Sequence, residues 1–332
     1  MLFVHALSKR KQTPLDVTIV EQRELAGQGL AYSTPCESHL LNVPVDRMSI
    51  DGEEPGHFLR WLNVRKPVRQ GGYTEDDFVS RGVYGEYLRD ALAKVATCAG
   101  DLRLSIVRET AYDARRRNGK WYVTLSDGVK LAGNVLVLAT GNEPPNSIIS
   151  SAPAMTRSFI VDDPWDWEAK RAIAKHETVL IVGSGLTAVD TSIELLDAGH
   201  TGSIVCISRR ALLPHTHTPA PDEERMTPPY PTGLRDILVR FRDIAGCTEK
   251  ENGWQDALEA MRPVTSDLWR SLPLTEQRRF LRHLKTYWNA HRHRVAPAIG
   301  SQILRAVGRG RLMLVRGRIK ALHLGRRIRI CA

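Results

Sequence analysis

The chain has 332 residues, 42% of them hydrophobic and 25% charged, with a formal net charge of +10. It is long enough for two domains, and no apolar run approaches the ~18 residues of a membrane span, which excludes a chain built around such spans. Its five cysteines are scattered, with no C-x-x-C and no metal spacing, which argues against a dithiol redox centre or a cysteine metal site and fits a reducing, cytoplasmic setting.

Met1 to Lys11 reads as the end of a helix with a basic finish. Its lysines and arginine follow the apolar stretch, which is not the order of an export signal. Leu15 to Val20 is a β-branched strand that ends in Glu21. A carboxylate there is the group that takes ribose hydroxyls after the second strand of a Rossmann unit. The Gly-rich turn that belongs before such a strand is absent upstream. We therefore expect a chain that begins late in this unit.

Next come Gly27-Gln28-Gly29-Leu30-Ala31-Tyr32-Ser33, then His39-Leu40-Leu41-Asn42-Val43-Pro44 and Arg47-Met48-Ser49. This succession resembles a bacterial family of FAD/NAD(P)-binding proteins with two dinucleotide-binding domains, which includes an FAD-dependent urate hydroxylase. By that resemblance the segment with Gly27 and Gly29 covers the FAD, and Asn42 and Met48 lie near the isoalloxazine. A Gly/Pro-punctuated surface loop would explain the glycines but not the apolar residues beside Asn42.

Short helices are predicted from His57 and, longer, from Tyr84 through Val95. The period then changes to two. Leu102 to Ile106, Trp121 to Leu125 and Val129 to Leu131 predict an antiparallel meander, with turns at Asn118-Gly119 and Asp127-Gly128. Asn134 to Thr140 is continuously apolar, the pattern of a parallel strand buried on both faces. It runs into Ala139-Thr140-Gly141, which in flavoproteins of this kind marks the exit from the FAD domain. A Pro- and Ser-rich connector spans 144–164.

Beyond it lies the clearest motif. Val179 to Val182 reads as a parallel strand, and Gly183-Ser184-Gly185-Leu186-Thr187-Ala188 follows in the G-x-G-x-x-A spacing of a dinucleotide turn. Leu186, Val189, Ile193 and Leu196 then recur at helical spacing. Strand, glycines and helix in this order direct free helix N–H groups at a pyrophosphate. The next strand, Ser203 to Ile207, ends in Ser208-Arg209-Arg210 with no acid, so the pair of arginines favours NADP(H) over NAD(H).

His215 and His217 sit two apart in a Pro-rich loop, with no third ligand spaced to form a metal site. We expect a flexible loop near the nicotinamide. Amphipathic helices follow from Leu234 and Trp254, and a third, capped by Thr275, runs through Trp288 to His291-Arg292-His293-Arg294 and stops at Pro297. The run Y-W-N-A-H-R-H-R also resembles the family, with Asn289 where an Asp is usual. Its cations either complement the helix dipole or bring His291, Arg292 and His293 toward substrate. Short strands close the chain at Leu312 to Val315 and Arg318 to Leu322. Eight basic residues and no acid follow Val307, so the charge is a local tail rather than the broad basic surface of a nucleic-acid protein.

The expected fold is α/β, with two Rossmann-like dinucleotide-binding domains for FAD and NADP, a β-meander and a helical extension. Residues 1–150 form the FAD domain, 151–297 the NAD(P) domain with its extension, and 298–332 an incomplete return to the FAD domain. The expected activity is an FAD- and NADPH-dependent oxidoreductase that hydroxylates a small molecule. An aromatic nitrogen heterocycle such as urate enters through the resemblance alone. The alternative is a non-catalytic nucleotide-binding fragment without flavin. No metal, membrane or nucleic-acid partner is expected, and the sequence assigns no catalytic residue.

Overall fold

The computed structural model describes residues 2–9, 14–66, 71–98, 102–143, 159–218, 233–247, 253–319, 322–323 and 329–330. Most of the connector, parts of the loop after His217 and parts of the basic tail lie outside them. The chain divides into two compact units, residues 1–40 with 44–148 and residues 41–43 with 149–332.

In the first unit, Leu15–Val20 (β1) pairs in parallel with Leu102–Val107 (β2), in register from Leu15↔Leu102 to Val20↔Val107. Sequence alone placed Leu102 to Ile106 in the meander. The correction is tertiary: β1 and β2 are joined through Arg81–Cys98 (α3), and a helical crossover imposes parallel pairing. Leu2–Ser8 (α1) packs on α3, and Val4, Leu92, Val95 and Leu102 form a core against the sheet's Val17, Ile19 and Leu104. His57–Arg65 (α2) adds Phe58, Trp61 and Leu62 to an aromatic cluster with Tyr84 and Tyr87. Trp61 Nε1 donates to Asp90 at 3.0 Å.

The meander itself is Ala111–Arg117 (β3), Lys120–Leu125 (β4) and Lys130–Gly133 (β5), all antiparallel. Asn118 and Gly119 both take positive φ, +49° and +79°, as a two-residue hairpin turn requires. Residues 134–140 form no strand. Val135 and Leu138 are 76% and 77% exposed, so apolar character here is not matched by a ladder. A parallel strand forms only where neighbours supply its hydrogen bonds, and none of the described strands lies alongside.

In the second unit, Val179–Val182 (β6), Ile204–Ser208 (β7) and Leu312–Arg316 (β8) form a parallel sheet in that order. Leu312 to Val315 was expected with the FAD domain. Instead it pairs with β7 from Ile204↔Leu312 to Ser208↔Arg316, because Pro297–Gly308 (α11) crosses back over this sheet and packs on the helix after β6. That helix is Leu186–Asp197 (α5), preceded by the short Trp167–Arg171 (α4), which Asp166 caps. Ala188, Val189, Ile193, Ile204, Cys206, Ile303 and Leu312 are buried between helices and sheet.

The extension comprises Leu234–Cys247 (α6), Gly253–Met261 (α7), Thr265–Ser271 (α8), Leu274–His283 (α9) and Lys285–Arg292 (α10). Its third predicted helix is thus two, broken at Leu284. Pro273 rather than Thr275 stands at the start of α9. Pro297 opens α11 instead of ending its predecessor, because a fixed φ and a missing N–H suit the first helical position. No helix among the described residues is long and apolar enough to cross a membrane.

Candidate functional site

The turn between β6 and α5 is built by two glycines with different duties. Gly183 has φ +128°, a conformation that side chains rarely adopt, and its N–H donates to Ile207 O at 2.8 Å. Gly185 has an ordinary φ of −84° and caps α5 without any side-chain hydrogen bond. A Cβ built on either glycine meets nothing within 4 Å, so the turn is open on its outer face. A helix leaves its first N–H groups without intrahelical partners, and beside an open turn such groups suit a pyrophosphate.

Ser184 is turned inward. Its hydroxyl donates to Leu212 O at 2.6 Å and accepts from Ser208 Oγ at 2.8 Å, while Ser208 accepts the Ala211 N–H at 2.9 Å. This relay ties the turn to the loop after β7 and occupies the Ser184 hydroxyl, leaving only its backbone for a ligand. Thr187 is exposed beside the turn, and buried Ala188 lets α5 approach the sheet. Ser208 was not singled out from sequence. Its distance of 24 residues from Ser184 carries no local signal.

Arg209 is exposed, whereas Arg210 is engaged. Arg210 Nη1 donates to Tyr287 Oη, and its guanidinium lies over the same ring. The two arginines that sequence treats as a pair are therefore unequal, and Arg209 is the one available to a 2′-phosphate.

The two histidine-bearing runs come together. The loop at 215–217 is pinned rather than flexible: His215 N–H donates to Ala290 O, Val295 N–H to His215 O, and His217 N–H to Val295 O, at 2.9–3.0 Å. The His215 ring lies 4.4 Å from that of His291 and 4.7 Å from Trp254. Burial, then the neighbouring His291, hold His215 below the usual histidine pKa. His293 is lowered too, by burial first and Arg292 second. His291 Nδ1 donates to Tyr287 O at 2.8 Å, four residues back on the same helix. Arg292, half-buried, ends α10.

Beneath this cluster is a buried polar network that sequence missed. Arg294 bonds both Gln255 and Glu259, and Gln255 also holds Thr216 O and Thr218 N. The Asn42 carbonyl accepts from His217 Nε2 at 2.8 Å, which ties residues 41–43 into the second unit. Met48 belongs to the first unit, after the short helical turn Val45–Arg47.

In the first unit Glu21 follows β1, and its carboxylate accepts from Arg23 N at 3.1 Å. Gly29, at φ +63°, has open space beside it, as does Gly141, whereas a Cβ on Gly27 would meet Leu92 at 3.3 Å. Gly27 is thus a packing glycine, set against α3. Thr140 is exposed. His39 is buried and bonded to Thr34 Oγ1 at 2.8 Å, and Arg81 holds the Leu40 carbonyl, so the conspicuous His-Leu-Leu run braces the loop. Among the described residues no group of three or more His, Cys, Asp or Glu could hold a metal ion.

Comparison with known proteins fits this geometry. Residues 1–143 match the model of an FAD-NAD(P)-binding family. No curated protein matches. Among solved structures, the fold is shared with the reduced form of ornithine hydroxylase from Pseudomonas aeruginosa, at 16% identity and TM-score 0.55, over 96% of this chain and 71% of that one. It is shared also with the FAD-bound cadaverine monooxygenase of desferrioxamine biosynthesis from Erwinia amylovora, at 16% identity and TM-score 0.57, over 97% and 68%. A third is ornithine N-hydroxylase from Kutzneria sp. 744 with reduced FAD, NADP⁺ and L-ornithine, at 12% identity and TM-score 0.50, over 97% and 71%.

Proposed function

We propose, from the premise that residues 1–143 carry an FAD-NAD(P)-binding domain, that this chain is a flavoprotein monooxygenase in which NADPH reduces FAD and a small molecule is hydroxylated. The observation that carries the reading is the second nucleotide turn. An open G-x-G face stands before α5, with Arg209 exposed beyond the neighbouring strand, in a chain whose first part already matches an FAD-NAD(P)-binding model.

Bound flavin, reduced by the nicotinamide, supplies the oxygen chemistry. The chain's own residues bind and orient. Gly183 shapes the turn, Gly185 leaves room for the pyrophosphate, and the N–H groups that open α5 stabilise its charge. Arg209 pairs with the 2′-phosphate and so selects NADPH. On the flavin side Glu21 accepts from ribose hydroxyls, while open Gly29 and the Thr140-Gly141 stretch let the backbone come close. His215, its pKa lowered by burial and then by His291, is fixed by its backbone pairing to Val295.

Urate, which the resemblance brings forward, is not singled out by any described residue, and the enzymes sharing the fold hydroxylate ornithine or cadaverine. Substrate identity is decided by experiment. Purified protein is reconstituted with FAD, its absorption spectrum recorded, and anaerobic flavin reduction followed with NADPH and NADH. Oxygen uptake is then measured across amines, N-heterocycles and aromatic acids. A flavin spectrum, faster reduction by NADPH and substrate-stimulated oxygen uptake are expected. Protein that binds NADPH but takes up no flavin would instead be the non-catalytic nucleotide-binding form.

A further inference from the structure

The helical extension forms a half-open cavity of about 460 Å³ between α6, α7, α8, α9 and α10. Protein interiors hold few voids larger than a water, whereas ligand sites run to about 300–1,000 Å³. Its walls are apolar, supplied mainly by Phe241, Met261, Trp269, Phe280, Leu281 and Trp288. α9 has no buried residue at all, and Leu281 is 49% exposed although it lines the cavity. An apolar helix face is thus held around open space instead of closing on it.

The polar lining is Lys285, Tyr287, Asn289 and His291 of α10 with Thr265 of α8, and it contains no carboxylate among the described residues. Lys285 has no ion-pair partner among the described residues. Tyr287 also holds Arg210, so the cavity wall and the loop carrying Arg209 share a side chain.

We propose that this cavity is a binding site for a small molecule with an apolar body and one carboxylate, the carboxylate meeting Lys285. A ligand amine would place its ammonium beside Lys285, with no acid in the described lining to offset the like charge. The occupant is therefore an apolar acid, opposite in charge to the amine groups of ornithine and cadaverine.

The test uses the whole chain with decanoate, decanol and decylamine, which share one apolar tail and differ in the head group. Binding is followed by calorimetry and by the emission of Trp269 and Trp288, and none of these readouts requires flavin or nicotinamide. Failure of the redox reading would leave them untouched. Decanoate is expected to saturate one site, with decanol weaker by about tenfold, the weight of one charge-assisted hydrogen bond, and decylamine weaker still. Lys285→Glu, at an exposed position, is expected to reverse the order of decanoate and decylamine, and Leu281→Trp to remove saturable binding of all three. Absence of saturable decanoate binding, equal binding of decanoate and decylamine, or an unchanged order in Lys285→Glu would overturn the proposal.

Discussion

The Arg210 guanidinium lies 4.7 Å from the centre of the Tyr287 ring while its Nη1 donates to Tyr287 Oη at 2.7 Å. A cation held by both a ring face and a hydroxyl gives up two contacts before it can reach elsewhere. Its neighbour Arg209 has no such hold. In the proposed reading the preference for NADPH rests on Arg209, with Arg210 held on Tyr287.

Arg209→Ala is accordingly expected to weaken NADPH binding by roughly ten- to a hundredfold, since a charge-assisted bond contributes about 1.5–3 kcal/mol and about 1.4 kcal/mol is a factor of ten. NADH binding should hardly change. Arg210→Ala should affect both cofactors equally and by less. Titration of the two variants with both cofactors checks this, and equal losses of NADPH and NADH in Arg209→Ala would remove the 2′-phosphate from its role.

The two glycines of the same turn separate a folding effect from a binding effect. Gly183→Val forces a β-branched side chain into φ +128° and should lower the melting temperature. Gly185→Val, at φ −84° with open space around the new Cβ, should leave melting nearly unchanged yet abolish NADPH binding, because its methyls occupy the phosphate's place. Thermal melts alongside nucleotide titrations distinguish them; retained NADPH affinity in Gly185→Val would discard the turn as a cofactor site.

What was legible in the sequence is what local spacing encodes. Val179 to Ala188 lies within ten residues, so strand, turn and helix could be read directly. The parallel partner of β1 is more than eighty residues away, and period-two alternation does not tell a parallel from an antiparallel neighbour. Val135 to Leu138 shows the converse, since an apolar run records only that burial would be favourable and not that a partner strand stands beside it. The His-Arg-His-Arg run was legible as a cluster but not by role. Residue by residue, His291 joins the ring cluster, and Arg294 is buried against Glu259 and Gln255, two residues that a helical pattern gives no reason to single out.

Arg294 is 5% exposed, and its partner Glu259 is largely covered as well. Removing one member of a buried ion pair costs about 3–5 kcal/mol where the other charge is left alone. Glu259 keeps Arg262 at 3.4 Å, so Arg294→Met should destabilise the second unit in urea unfolding by less than that. Arg294→Met combined with Glu259→Met should recover part of the loss, because the buried carboxylate is removed with its buried partner. A variant Arg294→Met as stable as the wild type would show that the network carries no structural weight.

The ring cluster makes stability depend on pH in a defined direction. His215 has its pKa lowered in the folded chain, by burial and then by His291, and His293 is lowered by burial and then by Arg292. Well above about pH 6.5, the ordinary histidine value, both residues are neutral whether the chain is folded or not, so neither contributes a pH slope. As pH falls through that value the unfolded chain takes up protons that the folded chain refuses. Stability must then fall, at up to about 1.4 kcal/mol per pH unit for each such group. The window opens near pH 6.5 and extends down to the lowered folded values. His215→Phe keeps an aromatic ring against Trp254 but cannot bind a proton, so it should lose one group's share of the slope while remaining folded. Melting temperatures measured from pH 8 to pH 5 should therefore decline less steeply in His215→Phe than in the wild type. Parallel curves for the two proteins, with His293 intact in both, would mean that His215 is not among the groups whose protonation the fold resists.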